Sequence, residues 1–465
     1  MTPAGYSMPA ATLGGSQVGP TRVSRGRAMP RALPAGPRLL DYLVACLIPV
    51  YVWRIQDALP LLAKIQFPII ISLLTLAVFV LEGQAAVTMR LLKTPVLKVA
   101  LFILFWCAVS VPASVYPGLS FGFVVNDFSK TFLMMLMIAS SIRNVNDVER
   151  LGLANIIGAV IYCAKILTTF RMGSDGRLDS ELYYDANDIC MMVVCTLPLT
   201  VYFLRGGSKV WQKLLALPAA GLFMLTIART GSRGGFLGLL AVLGFLLVGF
   251  RAIPAKMRVG SVAGLAVALI LVAGPQYWTM MNSILHPEED YNTQTESGRT
   301  EIWKRGIGYM ARRPLTGVGV NAFTVAEGTL SELAARQAEG QGLKWSAAHN
   351  SYVQIGAELG IPGLIAFVVF LFQLLKSGWR TSRSPRREGR DTARQRAMAE
   401  ALVATMVGYC VCGFFLSQAY AAYLYLTCGM ICGLSVVSMG RSGVRRPSAP
   451  MTQGHRGQQV RMKHA

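Results

Sequence analysis

Four short polar runs interrupt an otherwise apolar chain, and their residue types suit the handling of a charged group that carries sugar. The first is Arg229-Thr230-Gly231-Ser232-Arg233-Gly234-Gly235. Two guanidinium groups beside the start of a helix make a site for phosphate, because unpaired N–H groups and the positive dipole end add to the side-chain charge. The glycines let the backbone turn sharply and admit a ligand against the peptide groups, and Thr230 or Ser232 can cap the helix that follows. The second run, Ser297-Gly298-Arg299-Thr300-Glu301-Ile302-Trp303, sets Arg299 at another helix entrance, a position that favours anion contact. From Arg299 to Arg313 the apolar residues Ile302, Trp303, Ile307 and Met310 fall near one helical face, which predicts an interfacial helix lying along the membrane. Pro314-Leu315-Thr316-Gly317-Val318-Gly319 then turns the chain, and residues from about 322 to 338 read as a second, more polar helix.

The third run extends from Ala348-His349-Asn350-Ser351 to Glu358-Leu359-Gly360-Ile361-Pro362-Gly363. His349 can take or hold a proton near neutral pH, and Asn350 or Ser351 can cap the helix beneath it. Glu358 lies about 13 Å deeper at helical rise and shares a stripe with Ser351, Gln354 and Ile355. A carboxylate at that depth should face the bundle interior or a wet cavity, half a turn out of phase with His349. The fourth run, from Arg171 to Asp188, gathers Arg171, Asp175, Arg177, Asp179, Glu181, Asp185 and Asp188 with Tyr183, Tyr184 and Asn187. Hydroxyl, amide and carboxylate groups with aromatic faces suit sugar rings, which offer hydroxyls and apolar C–H faces. Each run also has a plainer reading: a hairpin with snorkelling arginines, a lid, a helix cap or a solvated loop.

These runs need a scaffold, and the composition says which kind. The chain has 465 residues, 53% of them hydrophobic and 15% charged, with a mean hydropathy of +0.46, which marks an all-α polytopic membrane protein. Apolar spans are expected at roughly 39 to 53, 67 to 82, 95 to 114, 120 to 142, 151 to 170, 189 to 204, 211 to 228, 235 to 250, 259 to 280, 351 to 375, 399 to 417 and 421 to 439. That makes about 12 transmembrane helices, the fourth interrupted by Asn126, Asp127, Ser129 and Lys130.

The net charge of +22 raises nucleic acid as a partner. Its distribution argues against one, because most of the excess lies in short segments between apolar runs and so sets orientation. With a cytoplasmic amino terminus, the cytoplasmic segments carry 29 Lys and Arg against 14 outside, counting Lys213 with the cytoplasmic side and Lys130 with the outer side, and Lys98 and Lys165 lie inside spans. Half of those 14 sit in one long loop, where the rule is weak. Both termini are therefore expected in the cytoplasm and all four polar runs at the outer face. The expected organisation is a basic cytoplasmic tail at 1–38 without a cleavable signal peptide, spans 1–9 at 39–280, a periplasmic loop with interfacial helices at 281–350, spans 10–12 at 351–439, and a basic tail at 440–465. Eight basic residues between Lys376 and Arg396 form a cytoplasmic loop facing anionic headgroups.

The 9 Cys lie in or beside apolar runs without the paired spacing of a zinc or redox site, and read as small buried hydrophobes. With four His, two of them in the carboxy-terminal tail, no dedicated metal site is expected.

At Ser232-Arg233-Gly234, Arg299 with Ile302-Trp303, Pro314 to Gly319, and His349-Asn350 with Glu358 to Gly363, the sequence resembles the O-antigen ligase and O-antigen polymerase superfamily. Asn187 with Asp188 also looks like a family element, and the likeness covers about 185 to 375. It implies a metal-independent inverting glycosyltransferase of the bacterial inner membrane, with a GT-C-like helical fold, no cofactor and a periplasmic active site. The donor would be a glycan on undecaprenyl diphosphate, and the acceptor a glycan, lipid A core or a protein hydroxyl. By that resemblance Arg233 and Arg299 hold the diphosphate and His349 activates the acceptor hydroxyl or stabilises the leaving group. Arg229, Arg171, Asn187, Asn350 and Glu358 are further substrate-contact candidates.

The rival class is a transporter. A carrier of two six-span halves would place its long cytoplasmic connection after the sixth span and bind near the midplane. Here the long cytoplasmic loop follows the tenth span and the charged candidates lie at the outer rim.

Overall fold

The computed structural model describes residues 36–169, 173, 177–178, 184–286, 295–296, 298–338, 345–384 and 389–442. Met1–Pro37 is a unit separate from the compact body that starts at Arg38, and the elements below belong to that body. In chain order they are α1 (Leu39–Tyr51), α2 (Ile55–Ala58), α3 (Pro60–Lys64), α4 (Phe67–Leu81), α5 (Ala85–Leu92), α6 (Pro95–Ser110) and α7 (Pro117–Gly122). A π-helical turn, Phe123–Phe128, joins α7 to α8 (Ser129–Ser141), and α9 (Val145–Thr169), α10 (Ala186–Leu204), α11 (Val210–Thr230), α12 (Arg233–Val248), α13 (Ala255–Val272) and α14 (Pro275–Asn282) follow. The chain continues with α15 (Arg299–Arg312), α16 (Phe323–Thr329), α17 (Glu332–Ala338), α18 (Ser351–Ser382), α19 (Arg390–Cys412), a 3-10 turn at Gly413–Phe415, and α20 (Ala422–Ser442).

Each apolar run expected from the sequence falls on a helix or a joined pair. Among the described residues eight helices are long and apolar enough to cross a membrane, or nine if α4 and α5, bent by 95°, are one span. The runs at α1, α6 and α12 are shorter, with 13, 16 and 16 residues. The polar stretch from about 322 to 338 is two short helices, because the chain breaks at Leu330 and Ser331.

Burial follows amphipathicity. Apolar almost all round, α10 is the central helix, with 83% of its apolar window buried, and it packs against α11, α12 and α19. By contrast α13 is only 11% buried and presents its apolar surface outward, as a lipid-facing helix would. The cysteines are unpaired and mostly buried, but Cys46 is exposed on α1 and Cys410 half-buried, since each points off the packed face of its helix.

One end of the bundle is tied by arginines from segments far apart in sequence. Asp41 is paired with Arg38 and Arg143, and Glu149 with Arg205 (3.0 Å) and Arg394. Tyr202 donates to Glu149, and the Arg205 guanidinium lies 3.7 Å over the Tyr202 ring. Removing the carboxylate would leave Arg205 beside Arg394, whose remaining carboxylate partner is Asp391 at 3.2 Å. Glu149→Ala is therefore expected to destabilise the protein by about 2–3 kcal/mol, less than a fully buried pair because Arg394 is partly solvated. Thermal unfolding of detergent-purified protein, with Glu149→Gln as the milder comparison, reads this directly.

Candidate active site

The described residues of the four polar runs come to the opposite end of the bundle, where α10, α12 and α18 begin. Ser232 caps α12, its Oγ accepting from Gly235 N at 3.1 Å. Asp185 caps α10 by accepting from Asn187 N and Asp188 N, and Asn350 caps α18 by accepting from Tyr352 N and Val353 N. With α15, whose N-cap Gly298 has no side-chain cap, four positive dipole ends are gathered at this end.

The glycines of the first run do two different things. Gly231 ends α11 with a left-handed φ of 56° and makes the turn. Gly234 and Gly235 serve helix packing rather than ligand access: a Cβ on Gly234 would stand 2.7 Å from Phe415 Cβ, and one on Gly235 would stand 2.2 Å from Cys190 Sγ. Close approach to α10 and to the 3-10 turn fixes the height of Arg233, whose Nη1 donates to Ser283 Oγ at 2.9 Å.

Residues 414–417 link Arg233 to the other candidates. Phe415 lies against Gly234, and Ser417 Oγ accepts from His349 N at 2.8 Å. Trp303, one helical turn after Arg299, donates its indole N–H to Ala348 O at 2.9 Å and stands edge-on to Phe414, ring centroids 5.4 Å apart. The stretches carrying Arg233, Arg299 and His349 therefore converge on one short connection between α19 and α20. His349 is half-buried with φ 46°, outside the helix that Asn350 starts. Such a left-handed backbone is uncommon for a residue with a side chain and holds the imidazole at a fixed corner.

The remaining candidates are more dispersed. Asn350 is buried with its Oδ1 committed to the cap. Asn187 Oδ1 accepts from Arg177 Nη2 at 3.0 Å, and Arg177 also donates to Thr230 O, so the fourth run is pinned to the first. Arg229 is exposed at the end of α11. Arg171, Asp175, Asp179, Glu181 and Tyr183 lie outside the described residues.

Glu358 is buried, and its Oε1 accepts from Phe323 N at 3.3 Å. Its surroundings explain why two of the glycine motifs exist. At Gly360, α18 breaks, with φ 68° and ψ −168°, a conformation essentially restricted to glycine. The break frees carbonyls that other segments then satisfy: Val318 N donates to Ala357 O (2.8 Å), Gly319 N to Glu358 O (3.0 Å), and Trp106 Nε1 to Leu359 O (3.0 Å). In return Ile361 N donates to Pro314 O at 2.8 Å. The Pro314–Gly319 turn and the Glu358–Gly363 break are thus one interlocked structure, extended to α6 and α7 by Val320 N on Ser110 Oγ and Ser120 Oγ on Val320 O.

Above this interlock, Ile302, Tyr309, Val318, Phe323, Ala326, Ala348 and Ala357 form a second small core. The buried face of α15 is therefore Ile302, Gly306 and Tyr309, and Ile307, expected on the apolar face, is 53% exposed. The face is rotated because Gly306 admits Val353 and Tyr309 is tied down, donating to Glu327 Oε1 at 2.8 Å beside the Arg305–Glu327 pair (2.6 Å). Burial, together with that hydrogen bond to Glu327, raises the Tyr309 hydroxyl above its ordinary pKa, so it stays a donor.

Sequence reasoning missed the neighbouring cavity of about 740 Å³, whose lining includes Arg54, Asp127, Lys130, Asp188, Asn321 and Gln418. Its one visible signal was the polar interruption at Asn126–Lys130 of an otherwise apolar span. Gln418 Nε2 donates to Asp188 Oδ1 at 2.7 Å, joining this cavity to the start of α10. Among the described residues no group of three or more His, Cys, Asp or Glu side chains is arranged to hold a metal ion.

The architecture and this polar end define a multi-pass helical membrane protein with a candidate active site at one end of its bundle. Residues 218–368 match the family described as O-antigen ligase, which supports the resemblance to the O-antigen ligase superfamily over that part of the chain. The match contains Arg233, Arg299, His349 and the interlock. The chain is also similar to an uncharacterized protein of Haemophilus influenzae, 22% identical over 220 residues, which covers 45% of this chain and 54% of that relative. The chain thus spans about half the length of that relative.

Proposed function

We propose that this protein transfers a glycan from undecaprenyl diphosphate to an acceptor hydroxyl at the periplasmic face of the bacterial inner membrane, in cell-surface polysaccharide synthesis. The observation that carries the reading is the convergence of the Arg233, Arg299 and His349 segments on residues 414–417, within an end of the bundle that collects four helix N-termini. Arg233 and Arg299 hold the diphosphate. His349 takes the acceptor proton as the acceptor oxygen attacks the anomeric carbon from the face opposite the leaving group. The new C–O bond forms, the old C–O bond to the diphosphate breaks with inversion, and undecaprenyl diphosphate departs with the electron pair. Two guanidinium groups and helix dipoles meet the charge that develops on the leaving group, which needs no divalent cation or cofactor.

A deletion strain with its surface glycans resolved by size tests the reaction and assigns the acceptor. Single repeat units on the acceptor indicate a missing polymerase. Long chains stranded on the lipid carrier indicate a missing ligase, and an intact glycan with a hypoglycosylated protein indicates transfer to protein hydroxyls. Unchanged glycans and unchanged glycoproteins would overturn the reading.

A further inference from the structure

The cavity of about 740 Å³ has no role in the reaction as written, and Arg233, Arg299 and His349 are not among the residues lining it. It adjoins them nonetheless, because Ser417 lines it and accepts the hydrogen bond from His349 N.

Three features set its chemistry. The first is the π-helical turn Phe123–Phe128, inside the candidate span Pro117–Ser141, which carries Asn126 and Asp127 and leads directly to Lys130. All three side chains are exposed and line the cavity. Ionisable groups within a span turn to a wet cavity, and a π-helical turn there frequently marks a functional site. The second is the facing wall, where Arg54, paired with Asp57 at 2.6 Å, stands with Gln56, Asn321 and Gln418. Carboxylate, ammonium and amide groups together match vicinal hydroxyls, which both donate and accept. The third is an apolar flank. Ile69 and Leu73 of α4 line the cavity while being 56% and 62% exposed, so it opens sideways through a surface suited to acyl or prenyl chains.

We propose that this cavity is a subsite for a saccharide carried on a lipid anchor. Asp127 and Lys130 contact the sugar, and the anchor leaves over Ile69 and Leu73 into the bilayer. The proposal rests on the glycan-transfer reading and extends it: one substrate approaches His349 from the side of Arg233, and the sugar in the cavity approaches from the side of Ser417. A volume of this size accommodates a small saccharide. Donor and acceptor both present lipid-borne sugar, and the experiment separates them.

The test uses the full chain in lipid nanodiscs, as wild type, Asp127→Asn and Lys130→Gln, each checked for monodispersity. Each is incubated with polyprenyl-diphosphate-linked saccharides and, separately, with other glycolipids, both extracted from a strain deleted for the protein. Retained lipid is identified by mass spectrometry, with sugar-free undecaprenyl diphosphate as the third probe. The expected result is a tenfold or greater loss of one saccharide lipid in both variants, with sugar-free undecaprenyl diphosphate retained as in wild type. The fraction that is lost identifies the source. Unchanged retention of both saccharide fractions overturns the subsite, as does an equal loss of the sugar-free lipid. Failure of the transfer reading shows elsewhere, as unchanged glycans and unchanged glycoproteins in the deletion strain.

Discussion

Replacing His349 with alanine or asparagine is expected to lower glycan transfer by about 10²- to 10⁴-fold, the range of a positioned acid–base group, while the protein still inserts and accumulates. The pair of variants matters because His349 has φ 46°. Asparagine tolerates that left-handed backbone well and alanine does not, so His349→Asn removes the imidazole with the corner preserved. Arg233→Ala should cost about 10²–10³-fold through lost stabilisation of the leaving diphosphate. Product is measured per molecule of folded protein. Near-normal transfer by His349→Asn would assign the imidazole a structural task, and full activity in both His349 and Arg233 variants would contradict the site.

The second large effect concerns folding. Gly360→Ala is expected to prevent accumulation of folded protein. The backbone at this glycine costs another residue about 1–3 kcal/mol, and the added Cβ would lie 2.5 Å from Pro314 O and 2.6 Å from Leu315 O. Backbone atoms held by the Ile361–Pro314 hydrogen bond cannot step aside. Gly317→Ala should behave alike, its Cβ falling 2.4 Å from Ala357 O at φ 63°. Gly308→Ala, on the same segment of chain with open space around it, should be neutral or gain up to about 1 kcal/mol of helix propensity. Size-exclusion profiles of tagged protein distinguish these outcomes, and a monodisperse Gly360→Ala at wild-type yield would refute the interlock.

The helices could be read from the chain because a bilayer leaves few options: an apolar run of this length is a helix or nothing. Helix starts were open to within a residue or two, as Ser232 rather than Thr230 caps α12 and Asn350 rather than Ser351 caps α18, while the cap at Asp185 was not singled out. What each glycine does was not open. Gly234 and Gly235 look like a ligand loop in one dimension, and only the approach of Phe415 and Cys190 shows that they serve packing. Pairing of the Pro314 turn with the Gly360 break is likewise tertiary, since its hydrogen bonds join residues about 40 apart. Lys130 is legible only as part of a helix interruption and Arg54 not at all, because nothing local says that a turn near residue 54 shares a cavity with the fourth apolar run.

The broken helix constrains anyone who recombines this chain with a relative. Residues 314–320 and 357–361 exchange backbone partners that neither can find alone. A chimaera that imports one stretch and retains the other would bring a loop whose amides and a helix whose carbonyls no longer meet. Crossover points must therefore lie outside both, and the two stretches are inherited as a single cassette despite the polypeptide that separates them.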